Sequence, residues 1–216
     1  MAIPETRRGW QTREPNTEQT LEAFASERRR TILSVLDRLS AVTAEELATH
    51  VLAAESEKSL TAVSETEVQE VETTLHHQNL PKLEAAGLIT CTGGTVSLAR
   101  YSPCSVWEFI STFETNVHDW DSVFSTFASE RYRVVASTLD SGVVPMDRRG
   151  LAEAITEHEY GEDHTAHVDE LERELHHVVL PKLEALDLLV YDVETERVYP
   201  SELLESVTRL VSCLSR

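Results

Sequence analysis

The sequence predicts a mainly α-helical fold with small β-ribbons, an α+β architecture built from two tandem copies of one domain. The first reason is internal repetition: residues 71–90 and 171–190 are identical at eleven of twenty positions, and residues 26–36 match 129–139. The second is the order of patterns within each copy, which is three helical periodicities followed by two short strand-like runs. A unit of about 75 residues can fold alone, so each copy is expected to be a domain.

The repeats divide the chain into five segments. Domain one spans 26–99 and domain two spans 129–200, while the polar residues 1–25 are expected to form a flexible arm. An aromatic-rich linker helix is expected within 100–128. Residues 201–216 form an amphipathic pattern with one apolar stripe. Each domain is therefore predicted to be followed by an amphipathic helix.

The first two helices of each copy follow from apolar spacing and from capping residues. Apolar residues recur at helical spacing across 26–39, and 129–140 aligns with that helix. Thr43 can cap the second helix, with Glu46 three residues later to complete a capping box. Asp147 takes the cap position in copy two.

A long third helix is predicted at 66–86 and at 167–186. It is expected to end at Gly87 in copy one and at Asp187 in copy two, where a left-handed residue is needed. Glycine adopts that conformation without strain, and aspartate tolerates it.

Two short strands complete each copy, at 88–91 and 96–98 and again at 188–191 and 198–199. Three helices followed by a two-stranded ribbon form a winged helix-turn-helix. The sequence therefore predicts two tandem winged helix-turn-helix domains.

One phrase, Leu-His-His-x-x-Leu-Pro-Lys-Leu-Glu-Ala, occurs at both 75–85 and 175–185. It resembles an uncharacterised winged-helix domain found in halophilic archaea, and the resemblance covers both repeats. The resemblance implies the winged-helix fold and a regulatory role, and it implies no ligand or catalytic residue.

The charge balance favours a surface suited to molar salt. The chain has 38 acidic and 19 basic residues, a formal net charge of −19, and only three of its basic residues are lysines. Carboxylates retain hydration and cations in concentrated salt, which favours a halophilic source. The alternative is an ordinary acidic protein that has few lysines by chance.

The spacing of the cysteines and the lengths of the apolar runs indicate the cellular compartment of the chain. Cys91, Cys104 and Cys213 have no metal-binding or disulfide spacing, which favours a reducing cytoplasm, and Cys91 is expected to be a small buried residue. No apolar run reaches the roughly 18 residues of a membrane helix, so no membrane partner is expected. The N-terminal residues also lack the apolar core of a signal peptide.

Basic residues are the candidates for contact with DNA. A winged helix normally supplies Lys or Arg from its third helix and wing, but here both third helices are acidic. The best cluster lies on the first helix instead. The candidate phosphate contacts are Arg28, Arg29, Arg30, Lys82, Arg131, Arg133, Arg148, Arg149 and Lys182. The alternative is an arginine face that is paired with neighbouring carboxylates.

Paired histidines precede a proline in both copies, as His76-His77 before Pro81 and as His176-His177 before Pro181. Adjacent helical residues point about 100° apart, so one pair cannot chelate a metal ion. Each proline should kink the third helix and free a carbonyl, which one histidine of the pair is expected to satisfy. No metal or cofactor is predicted, and because no catalytic motif is present the chain is not expected to be an enzyme.

Two functions remain open. One is a transcription regulator that binds double-stranded DNA with two winged helices in one chain, as a covalent pseudo-dimer. The other is a protein-interaction module that never touches DNA. Its contact surfaces, for another protein or for a second copy, would be the aromatic segment 107–127 and the stripe 203–211.

Overall fold

The computed structural model describes residues 16–99, 119–141, 145–161 and 165–214. Within these ranges each repeat consists of helices and one small three-stranded antiparallel sheet, which confirms the predicted α+β fold with wings. None of the described helices is long and apolar enough to cross a membrane.

Repeat one begins with a helix that the sequence analysis assigned to a flexible arm. Its elements are α1 Thr17–Phe24, α2 Glu27–Leu39, β1 Ala41–Thr43, α3 Ala44–Glu55, a 3₁₀ turn Leu60–Ala62, α4 Glu65–Thr74, a π-helical turn Leu75–Asn79, α5 Leu80–Ala85, β2 Ile89–Thr92 and β3 Thr95–Leu98.

Repeat two has the same order. Its elements are α6 Trp120–Ala128, α7 Glu130–Ser141, β4 Met146–Asp147, α8 Arg148–Tyr160, α9 Thr165–Glu174, a π-helical turn Leu175–Val179, α10 Leu180–Glu184, β5 Leu189–Asp192, β6 Arg197–Pro200 and the trailing helix α11 Glu202–Leu214.

The predicted helix ends are confirmed. The Thr43 hydroxyl accepts from the backbone N–H of Glu46 at 3.2 Å, and the Glu46 carboxylate accepts from the N–H of Thr43 at 2.9 Å. Asp147 accepts from the N–H of Gly150 at 2.7 Å. Gly87 and Asp187 both have positive φ, at 68° and 57°. Capping residues therefore fix where these helices start and stop.

Each sheet has one strand more than the sequence analysis predicted. β1 pairs with β3, with Val42 opposite Val96, and β4 pairs with β6, with Met146 opposite Val198. The extra strands are three and two residues long. Runs this short show no alternation of apolar and polar residues, so their pattern carries no strand signal.

The third helix is interrupted in both repeats, just before its proline. Five residues wind as a π-helical turn, and the N–H of Leu80 donates to the carbonyl of Leu75. The side-chain amide of buried Asn79 donates to the carbonyl of Thr74 at 3.1 Å. None of the four paired histidines donates to a backbone carbonyl in the described residues. The expectation that a histidine satisfies this turn is therefore wrong, because in repeat one Asn79 does so.

The two repeats are joined through the helices that precede them. α1 packs against α6, where the rings of Phe24 and Phe124 lie 5.6 Å apart and Trp120 stacks on Phe124 at 5.5 Å. Leu21 and Phe24 are fully buried, so the flexible arm is corrected over 17–24. Residues 1–15 lie outside the described ranges.

Each repeat thus has a leading helix, α1 or α6, that ends within two residues of the start of its domain. The trailing helix predicted after domain two is confirmed as α11, and any counterpart after domain one falls in 100–118, outside the described residues. The apolar stripe of α11 is buried, and α11 packs on α7 and α1. Trp120, Phe124 and Phe127 are also buried. The stripe 203–211 and the described part of 107–127 therefore pack within the chain and are not free docking surfaces.

Candidate functional site

The arginines of α2 contact neighbouring parts of the same chain. Arg28 forms a bidentate pair with Glu55, in which both N···O distances are 2.7 Å. Arg29 is buried and donates to the carbonyls of Ala23 and Glu22 at the end of α1. These bonds satisfy carbonyls that a helix end leaves without partners.

The next arginine of α2 ties the repeats together, and its counterpart in α7 caps the helix before it. Arg30 donates to the carbonyl of Phe24 at 2.7 Å and pairs with Asp121 of α6 at 2.5 Å. Arg133 donates to the carbonyls of Phe127 and Ala128, which end α6. Both repeats therefore use this arginine to cap their leading helix.

The last candidate arginine of α7 is paired with carboxylates, whereas the two candidate lysines are not. Arg131 pairs with Glu159 at 2.8 Å and lies 3.7 Å from Glu174. Lys82 and Lys182 are exposed, and within the described ranges neither forms an ion pair. The contacts of Arg28, Arg29, Arg30, Arg131 and Arg133 agree with the alternative interpretation of a paired arginine face. Phosphate contact by these nine residues stays a prediction.

A polar network centred on Arg148 lies at the start of α8 in repeat two. The Arg148 guanidinium donates to Glu172 at 2.9 Å, to Glu196 at 3.0 Å and to the Tyr191 hydroxyl at 3.0 Å. Its backbone N–H also donates to the carbonyl of Glu196 at 2.9 Å. Burial alone would lower the pKa of Arg148, but the hydrogen bonds to Glu172 and Tyr191 raise it above its ordinary value. The guanidinium stays charged and fixes the wing to the start of α8.

His176 completes this network. Its Nδ1 lies 2.8 Å from the Tyr191 hydroxyl and 3.2 Å from an Arg148 guanidinium nitrogen. A guanidinium can only donate, so the Arg148 contact fits an Nδ1 that accepts. His177 is exposed beside it. Arg148, His176 and His177 line a surface cleft of about 620 Å³ between α9 and the wing.

Arg149 lies on the outer side of the same helix end. It is 56% exposed and reaches Glu153, Asp169 and Glu172 at 3.2 to 3.3 Å. Pairs this exposed contribute little stability. Arg148 and Arg149 are thus surrounded by carboxylates in the folded protein.

Repeat one lacks the network. Ala44 occupies the position of Arg148, and Cys91 occupies that of Tyr191. Cys91 is exposed, which corrects the expectation that it is buried. His76 is exposed as well, with Glu72 at 3.8 Å, and His77 points outward. The same histidine pair therefore has different surroundings in the two repeats.

The third helix of repeat one carries a row of polar side chains without a carboxylate, and Glu70 and Glu72 lie on either side of it. Gln69, Thr73 and His77 recur at four-residue spacing, and all three are exposed. The wing next to this helix turns at Gly93-Gly94, where φ is 62° and 83°, and a Cβ added to either glycine would meet nothing within 4 Å. The wing tip of repeat one therefore carries no side chain at all.

The glutamate of the shared phrase has a structural role. Glu184 accepts from the backbone N–H of Tyr191 at 2.9 Å, and Glu84 accepts from that of Cys91 at 3.4 Å. β2 and β5 are edge strands, since β3 and β6 lie at the centre of their sheets. Each glutamate thus satisfies an N–H that an edge strand would otherwise expose, which discourages pairing with another chain.

Several residues of these surfaces escaped sequence reasoning. Tyr191 and Glu196 were assigned only to a strand and a turn, and Gln69 and Thr73 only to a helix. The available signal was the difference between the repeats at matched positions, such as Cys91 against Tyr191. No cluster of three or more metal-binding side chains occurs among the described residues.

Comparisons with known proteins yield one match. A family described as "Domain of unknown function (DUF7344)" matches residues 21–96 and again residues 124–199. No curated protein and no solved structure matches the chain. The matched ranges include the ends of α1 and α6, so the family's domain contains part of each leading helix.

Proposed function

The chain belongs to the DUF7344 family and carries its domain twice, and we propose that it is a transcription regulator that binds double-stranded DNA as a covalent pseudo-dimer. The observation that carries this proposal is the placement of the two winged helices. The repeats are joined mainly through α1 and α6, which leaves the third-helix face and the wing of each repeat exposed. Those are the surfaces that helix-turn-helix proteins place against DNA.

The acidic surface is compatible with this function in a halophilic cytoplasm. At molar salt the Debye length falls to about 3 Å, so a carboxylate repels a phosphate only at close range. Salt also weakens phosphate contacts, because the release of counterions on binding is then less favourable. Binding under such conditions depends on hydrogen bonds and shape, for which the side chains of Gln69 and Thr73 in repeat one are suited.

The experiment is selection of genomic DNA fragments by the full chain at about 0.2, 1 and 2 M KCl. We expect a small set of fragments to be enriched at every salt, with affinity falling as salt rises. A variant with Thr92 and Thr95, the exposed residues on either side of the wing turn, both changed to Glu should lose the enrichment, because charged side chains then stand at the wing tip. Recovery of random fragments, or of none, would reject the proposal.

The second candidate is the protein-interaction module. The observation in its favour is that seven candidate arginines already contact carboxylates or carbonyls of the chain, so few cations remain for phosphates. Under this hypothesis the chain binds no DNA at any salt. Cross-linking in cells, followed by identification of the proteins attached to the exposed faces of α4 and α9, would then yield one defined partner.

A further inference from the structure

We infer, on the basis of the proposed function, that the two repeats have unequal roles: Gln69 and Thr73 of repeat one read base edges in the major groove, and the matching face of repeat two does not. The inference rests on differences between matched positions of two copies of the same scaffold. Residues that only maintain the fold should be similar in both copies, so a consistent difference on one face indicates a difference in use.

The face of repeat one has the chemistry of base recognition. A glutamine amide can bond adenine N6 and N7 together, and a threonine hydroxyl can donate to or accept from either base of a pair. The Thr73 hydroxyl donates to the carbonyl of Gln69 at 2.9 Å, which leaves its lone pairs facing solvent. The wing of repeat one ends in two glycines, which allow a close approach to a sugar–phosphate backbone.

The matching face of repeat two is charged and is bonded to itself. Asp169 and Arg173 stand where repeat one has Gln69 and Thr73. Asp169 accepts from Arg149 at 3.3 Å and is exposed, so a carboxylate stands where repeat one has the Gln69 amide. A carboxylate can only accept hydrogen bonds, so it cannot bond the acceptor atoms of guanine or thymine, and it repels every neighbouring phosphate.

The wing of repeat two is also held in place. Glu196 accepts from both the backbone and the guanidinium of Arg148, so the wing is fixed over the start of α8. Arg148 could reach a phosphate only if Glu172 and Glu196 gave up their bonds to it. In repeat one the residue at the start of α3 makes no side-chain bond to the wing, since Ala44 stands where repeat two has Arg148, and the wing is held there by the pairing of Thr43 with Thr95.

The outer face of the wing sheet also has more hydrogen-bonding groups in repeat one than in repeat two. Thr90 and Ser97 face each other across the strands of repeat one, and their hydroxyls lie 3.0 Å apart. Val190 and Tyr199 occupy the matching positions in repeat two, and both are exposed. Val190 has no donor, so this pair offers a phosphate backbone one hydroxyl, that of Tyr199, where repeat one offers two.

The test compares two matched double variants of the full chain, Q69A/T73A in repeat one and D169A/R173A in repeat two. Neither change alters the net charge, and all four side chains are exposed, so both variants should fold. A random duplex library is used for selection at 0.5 M KCl, and affinity is then measured for the selected duplex and for a scrambled one. Thermal unfolding of each variant verifies folding.

We expect the parent to select one short, non-palindromic site. Q69A/T73A should lower the preference for that site over the scrambled duplex by about tenfold or more, while D169A/R173A should change it by less than about twofold. A further variant, Q69D/T73R, places the residues of repeat two in repeat one and should abolish the preference.

Selection of an inverted repeat, with equal losses in both double variants, would overturn the unequal roles and leave DNA binding intact. Unchanged preference in Q69A/T73A would also overturn them. Absence of binding to any duplex at any salt would reject the proposed function itself and this inference with it.

Discussion

A single arginine accounts for much of the difference between the two repeats. Arg148 has a side chain only 15% exposed and bonds three side chains from α9 and the wing, whereas neighbouring Arg149 is 56% exposed. Removing one partner of a partly buried charge network leaves the other charges without compensation. The contribution of an arginine to stability therefore depends on how far it is buried among its partners.

The first prediction compares these two neighbours. Arg148→Ala, which installs the residue of repeat one, should lower the free energy of unfolding by about 1–3 kcal/mol, because Glu172 is partly buried and keeps only the exposed Arg149 as its ion-pair partner. Arg149→Ala should cost less than Arg148→Ala, since Arg149 is exposed and Glu172 keeps its bond to Arg148. Urea unfolding at a fixed KCl concentration measures both. Equal losses would show that the Arg148 network adds nothing beyond a surface ion pair.

Sequence reasoning reached the local features of single residues and missed those that depend on a distant neighbour. Thr43, Asp147 and Gly87 were assigned correctly because caps and left-handed turns act within four residues of the chain. The partner of Arg148 on the wing lies 48 positions away. Which carboxylate an arginine meets depends on the packing of whole elements, so no local spacing reveals it.

Helices and strands likewise divide into those that local sequence patterns predict and those that depend on contacts with distant elements. The fold class, both domains and most helices follow from periodicity and repetition. The third strand of each sheet and the leading helix α1 do not, because two or three residues carry no alternation and because 1–25 looks polar overall. The apolar residues of α1 face α6, and only the folded pair shows why Leu21 and Phe24 are there.

The second prediction concerns the start of α4. Glu67 accepts from the hydroxyl and then from the backbone N–H of Ser64, and with Lys58 these contacts lower the pKa of Glu67 below its ordinary value. A carboxyl whose pKa is lowered by folding adds stability that is present above its unfolded pKa, about 4.5, and is lost as pH falls through the folded value. Glu67→Gln keeps the capping box and removes the titration.

Stability of Glu67→Gln should therefore fall less steeply than that of the parent between about pH 5 and pH 3. Thermal unfolding across that range, in constant KCl, is the measurement. Glu70→Gln removes a charge from the same helix outside the capping box and serves as the control. If both variants gave the same pH profile, the capping contact would not be the source of the difference.

The third prediction tests the contact between the repeats. Phe124 is buried between Phe24 and Trp120, with the Arg30 guanidinium 6.0 Å from its ring centre. Phe124→Ala should lower the free energy of unfolding by about 3–5 kcal/mol, because a buried aromatic ring is replaced by a cavity. The loss of stability should appear in both repeats, as faster amide hydrogen exchange in α1 as well as in α6. Exchange confined to repeat two would mean that the repeats do not stabilise each other.

At the scale of the whole molecule, the large negative net charge determines how stability responds to salt. The chain carries a net charge of −19, and within 129–200 there are seventeen acidic residues against seven basic ones. Such a surface repels itself in dilute buffer, and salt weakens that repulsion. The short ion pairs around Arg148 are partly shielded from solvent, so salt should weaken them less than it weakens the repulsion.

The fourth prediction follows: the midpoint of thermal unfolding should rise steadily between 0.1 and 3 M KCl. A variant with Glu157, Glu170 and Glu194 changed to Gln supplies the control, since these exposed side chains form no ion pair in the described residues. It should be more stable than the parent at 0.1 M KCl and should gain less from added salt, because less repulsion remains to be screened. A midpoint that does not change with salt in the parent would remove the argument for a halophilic surface. It would also remove the reason to expect an acidic winged helix to approach DNA, and the interaction module would become the better explanation.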